Sequence, residues 1–145
     1  PIGRGKMTEQ RQIYATEQDV KRLIDLIRNA GSTTYRGSQY LDKLREEIDR
    51  AMVVKATEIP ADVITMNSKA HVEDTQSGEE MVFTLVYPEN ADLLEDKISV
   101  LAPMGTAALG YRVGDIYQWE TPDGIRSMLV KQVIYQPEAS GDFHL

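Results

Sequence analysis

An α+β fold is predicted, in which a short helical hairpin precedes an antiparallel β-sheet wrapped on one short helix. Three observations carry that expectation. The apolar period is helical up to about residue 52 and alternating from Ala61 onward. Pro and Gly signals cut the alternating part into about five β-prone runs. Within it, Lys97 to Asp115, KISVLAPMGTAALGYRVGD, reads as a strand, a one- to two-turn helix and a return strand in under twenty residues. The expected division is a flexible leader over residues 1–15, a hairpin over 16–55 and a β-rich domain over 56–145.

Pro1 to Ala15 has no apolar period and is assigned no function. At Thr16 the character changes. Thr16-Glu-Gln-Asp19 is similar to a capping box, and Val20, Leu23, Ile24 and Ile27 follow at i, i+3, i+4, i+7, the spacing of an amphipathic helix. Ser38 is a good N-cap for a second helix to about Ala51, with Leu41, Leu44 and Ile48 on one face and charged residues on the others. These apolar side chains are too few to offset the entropy of ordering the hairpin. It must therefore be anchored at its base, where Met52, Val53, Val54 and Ile59 are expected to dock. At about 1.5 Å per residue the arm would project roughly 20 Å.

Ala70-His71-Val72 reads as a strand closed by the turn Asp74 to Gly78, and Met81 to Tyr87 is a β-prone run stopped by Pro88. Ala91 to Asp96 is a polar connection. Pro103 opens the short helix and Gly110 ends it. Asp115 to Glu120 and Ile125 to Tyr135 flank Pro122-Asp-Gly124, a hairpin turn in which Pro fixes φ and Gly accepts positive φ. The tail from Gln136 is polar until Phe143.

Composition bounds the function. With 145 residues, 41% hydrophobic and 27% charged, the chain suits one ordinary domain plus an appendage. It has no apolar run of membrane-spanning length and no signal-peptide core at Pro1 to Gln12, so no membrane partner and a cytoplasmic location are expected. Zero cysteines remove disulfides and thiol chemistry, and two isolated histidines, His71 and His144, do not make a metal site. No cofactor and no metal are expected. The net charge of -7 is uneven: residues 1–55 hold 11 Lys+Arg against 8 Asp+Glu, and residues 56–145 hold 5 against 15. An acidic β-rich half disfavours independent DNA or RNA binding and favours a basic protein surface.

No catalytic constellation emerges from local pattern. Gly105 to Gly110 has the glycine spacing of a phosphate loop, but Tyr111-Arg112 follows where Lys-Ser/Thr is required. The adjacent carboxylates Glu46-Glu47, Glu73-Asp74, Glu79-Glu80 and Glu95-Asp96 read as solvated edges. At the hairpin tip, Asn29 to Gln39 (NAGSTTYRGSQ) has no Asp or Glu to ligate magnesium and offers Tyr35 and Arg36 instead. Asp25 and Asp42 lie about one turn below the tip. Ion pairs to Lys21, Arg28 or Arg45 explain them more cheaply than a metal.

Five ordered segments, Asp62-Val-Ile-Thr-Met-Asn-Ser68, Thr84-Leu-Val-Tyr-Pro88, Ile98 to Gly105, Ala108 to Asp115 and Tyr135 to Asp142, resemble the GreA/GreB family of bacterial transcription elongation factors. Within it they resemble the branch described as regulators of nucleoside diphosphate kinase. The resemblance implies an N-terminal short antiparallel coiled-coil hairpin and an FKBP-like C-terminal domain. It also implies that the globular domain binds RNA polymerase at the rim of the secondary channel, through Ser99, Pro103 and Met104. In the cleavage factors of that family an acidic pair at the coiled-coil tip helps hold the catalytic magnesium. This chain departs there. The expectation is a non-enzymatic polymerase-channel binder that competes with Gre-type factors without stimulating transcript cleavage. Two alternatives stand beside it: an adaptor regulating the level or activity of nucleoside diphosphate kinase, directly or through expression, and a peptidyl-prolyl isomerase, whose apolar pocket would need Phe83, Phe143, Trp119 and the tyrosines.

Overall fold

The computed structural model describes residues 13–30 and 39–142. Among them the chain runs β1 (Tyr14–Thr16), α1 (Glu17–Ala30), α2 (Gln39–Asp49), β2 (Met52–Val54), β3 (Lys69–Asp74), β4 (Glu80–Val86), β5 (Lys97–Ser99), α3 (Pro103–Ala108), β6 (Ile116–Thr121) and β7 (Gly124–Tyr135). Two 3-10 turns, Pro88–Asn90 and Leu93–Glu95, separate β4 from β5.

The main sheet has the order β5-β4-β3-β7-β6. Alternation sets its inner face: Ala70 and Val72 on β3, Phe83 and Leu85 on β4, Tyr117 on β6, and Met128 and Val130 on β7 are all buried. The turn between β6 and β7 forms as its chemistry requires. Gly124 has φ +118, and the Thr121 hydroxyl donates to the Gly124 carbonyl at 2.8 Å. Two register shifts of β7 against β3 raise the local twist, so the sheet curls around α3. One edge differs from the expected antiparallel sheet. β5 pairs parallel to β4, with Thr84 opposite Lys97 and Val86 opposite Ser99, because the 3-10 turns carry the chain back along β4 first.

The hairpin requires larger corrections. Leu23 and Leu44 are fully buried, and with Leu41 and Ile48 they join the same apolar core as Met104, Ala107 and Leu109. α2 packs on α3, so the described part of the hairpin leans on the sheet domain rather than projecting as a free arm. The anchor differs in part: Ile59 is buried as expected, but two of its companions are not. Met52 and Val53 are 47% and 46% exposed and contribute backbone, not side chains, through a parallel pairing of β2 with β1. That pairing orders Ile13 to Ala15, which the sequence assigned to the leader. Ile13 is buried against Gly110, and its carbonyl accepts from the Met52 N–H at 2.8 Å.

Candidate functional site

β5, the turn after it and α3 form one rigid unit. The Ser99 hydroxyl accepts from the Leu101 N–H at 3.0 Å, and the Ser99 carbonyl accepts from the Ala102 N–H at 3.0 Å. Pro103 then takes the first helical position, where a missing N–H costs nothing. The Thr106 hydroxyl donates to the Val100 carbonyl at 2.6 Å, tying the helix back to the strand. Gly105 is required by space: a Cβ there would lie 2.1 Å from the Ser99 carbonyl oxygen. Gly110 has φ +87, and a Cβ on it would meet the Ile13 side chain at 2.7 Å.

The three residues expected on a contact surface separate. Ser99 and Pro103 are half-buried and reach the surface, whereas Met104 is 4% exposed and belongs to the core. Met104 is thus placed to support α3 from within: of the six positions of this helix, the five after Pro103 are buried. Beside Pro103 a groove of about 320 Å³ runs between α2, α3 and β6, lined by Lys43, Pro103, Ala107, Trp119, Glu120 and Ile125.

A second cluster joins the hairpin to the sheet domain. The Asp19 N–H donates to Thr16 Oγ1 at 3.0 Å, which closes the expected cap. Asp19 itself turns inward, 2% exposed, and its carboxylate accepts from the Met66 N–H at 3.1 Å. Burial, and after it the negative charge of Glu138, push the Asp19 carboxyl up to about 7, against the Met66 N–H, Arg22 and Thr16. Glu138 accepts from the Thr65 hydroxyl at 2.8 Å, and the Gln136 amide donates to the Pro60 and Val63 carbonyls at 2.8 Å. The polar tail is thus a lock on the segment beneath Asp19. Arg112, which only disqualified a phosphate loop in the sequence, pairs with both oxygens of Asp62 at 3.0 and 3.2 Å and lies 5.7 Å from the Tyr14 ring.

Asp25 pairs with Arg28 at 3.5 Å on α1, as expected from their spacing, and Asp42 is exposed on α2. Tyr35 and Arg36 lie outside the described residues. Among the described residues no group of three His, Asp or Glu side chains is placed to hold a metal, and no helix is long and apolar enough to cross a membrane.

Fold and surface define the class first: an α+β domain that presents a strand-and-helix edge, with a helical hairpin laid against it. Residues 59–135 match the family described as "Transcription elongation factor, GreA/GreB, C-term", and residues 11–54 match "Rnk N-terminus". The "Regulator of nucleoside diphosphate kinase" of Escherichia coli (strain K12) is 45% identical over 112 residues, 77% of this chain and 82% of that protein. The "Transcription inhibitor protein Gfh1" of Thermus thermophilus is 38% identical over 92 residues, 62% of this chain and 58% of that protein. A solved GreA/GreB transcription elongation factor from Nitrosomonas europaea is similar with a TM-score of 0.70 at 37% identity, covering 86% of this chain and 99% of that one. The chain belongs to the GreA/GreB family of transcription elongation factors, with a Rnk-type N-terminal region.

Proposed function

We propose that the chain binds RNA polymerase through the surface made by β5 and the start of α3, at the rim of the secondary channel. There it competes with Gre-type factors without stimulating transcript cleavage. One observation carries the reading: the sheet domain is of the family type, while the hairpin segment Asn29 to Gln39 contains no Asp or Glu. A protein that keeps the docking domain but lacks carboxylates for a second magnesium occupies the site without adding the chemistry. Surface exposure of Ser99 and Pro103 supports the same reading, and Met104 acts by holding α3 in place. Tyr35 and Arg36 are assigned the effect on the polymerase after binding, and the residues 16–55 and 56–145 are assigned the roles of modulator and docking domain.

The test is displacement of a fluorescently labelled Gre factor from core RNA polymerase. Full displacement at saturating protein is expected, with several-fold weaker competition by Pro103→Ala and unchanged competition by Arg36→Ala. No displacement by the unmodified chain rejects the proposal. A second reading is favoured by the name of the 45% identical relative: control of a nucleoside diphosphate kinase. Affinity capture separates them, polymerase subunits against the kinase. The isomerase alternative loses support. Phe83 is fully buried, and Trp119 shares its groove with Lys43 and Glu120 rather than with other aromatics.

A further inference from the structure

The sequence treats Ala91 to Asp96 as a polar connection, yet it holds the most exposed large apolar residues described. Leu93 and Leu94 are 82% and 96% exposed, against 55% for Ile125, the next in rank. Single exposed leucines are ordinary. A pair held outward by a built turn is not.

Several bonds fix the turn. Asp92 and Lys97 exchange backbone hydrogen bonds, each at 2.9 Å, and so close a small loop around Leu93–Glu95. The Asp92 carboxylate accepts from the Leu94 N–H at 3.0 Å, capping the turn from inside. Asp96 adopts φ 57, a left-handed conformation that few residues other than glycine accept, and its carbonyl accepts from Thr84 of β4 at 2.9 Å. The knuckle is thereby pinned to the sheet edge, and the leucines have no route inward.

Charge selects the partner. Glu89, Asp92, Glu95 and Asp96 flank the two leucines along the chain and are all exposed, and Lys97 is already paired with Glu95 at 3.1 Å. This acidic collar repels nucleic acid, anionic membranes and a second copy of itself. What fits is a protein surface with an apolar recess and a rim of Lys or Arg. β5 leads from the knuckle to Ser99 in two residues, so the knuckle continues the surface already assigned to docking.

We propose that Leu93 and Leu94 are the apolar anchors of a second docking point, seated in a basic-rimmed recess of the protein that the β5–α3 surface contacts. The proposal rests on polymerase being that protein. The experiment measures the affinity of core RNA polymerase for the unmodified chain, Leu94→Ser, Leu93→Ser/Leu94→Ser and Glu89→Lys/Glu95→Lys, with the melting temperature and sedimentation of each. The leucine double variant is expected to bind at least tenfold more weakly, Leu94→Ser to fall between, and the charge variant to lose both affinity and salt dependence, all with unchanged melting and a monomeric chain. Binding by the unmodified chain with equal affinity for the leucine variants overturns the knuckle and leaves the β5–α3 reading standing. A dimer that only the leucine variants dissolve overturns it in favour of self-association. Absence of polymerase binding by the unmodified chain overturns both.

Discussion

The hairpin and the sheet domain solve the same problem in different ways. The sheet curls on α3 and buries Phe83, Leu85, Val130 and Tyr117 within itself. The hairpin has too few apolar residues for that, and it completes its core with side chains of the other region: Leu44 and Leu41 share a cluster with Met104 and Ala107. Its polar anchor is likewise borrowed, since Asp19 accepts from the Met66 N–H. Dependence is therefore expected to run one way. The sheet domain is the platform, and the hairpin is set in place by α3 and by the segment around Met66.

Perturbations can break this asymmetry. Leu44→Ala removes a fully buried side chain at the shared seam and is expected to cost about 3 kcal/mol. Hydrogen exchange should accelerate in α1 and α2 while β3 and β4 stay protected; equal acceleration in both regions would show one indivisible core. Gly105→Ala sets a Cβ against the Ser99 carbonyl and is expected to cost about 2 kcal/mol, measured by denaturant unfolding, and to weaken competition with Gre factors by displacing Pro103.

Acidity tests the joint more finely. Because the folded protein holds the Asp19 carboxyl at about 7, above its ordinary 3.8, folding favours its protonated form. The associated stability is fully present below about pH 4, falls as pH rises toward 7 and is flat beyond. Unfolding free energies across that window should fall more steeply for the unmodified chain than for Asp19→Asn. Parallel curves would place the charge cost elsewhere. The smallest effect is expected at Asp25→Asn and Asp42→Asn: within about 0.5 kcal/mol in stability, with no change in competition, as suits solvated positions on the helix surfaces.

The sheet domain was legible because its signals are local. The alternation through Phe83 and Leu85 and the positive φ at Gly124 need no knowledge of distant residues. The hairpin's helices were legible for the same reason, but their docking was not: Leu41, Leu44 and Ile48 read alike whether a helix packs on its partner or on α3. The burial of Met104 was not legible, because a six-residue apolar helix does not declare its inner face. The pair Arg112–Asp62 closes across fifty residues, and Asp19 sits where an exposed carboxylate is usual for a first helical turn, so neither left a local mark. Leu93 and Leu94 were hidden by their acidic neighbours, since what turns them outward is the Asp92–Lys97 bridge and the bonds around it, which leave no local mark.

We propose that this chain occupies a Gre-type docking site without supplying cleavage chemistry. Transcript cleavage in backtracked elongation complexes tests it most directly, with the chain added alone and in excess over a cleavage-competent Gre factor. No stimulated cleavage is expected in the first case, and suppression of the factor's cleavage in the second. Stimulated cleavage by the chain alone, or undiminished factor activity at saturation, would contradict it.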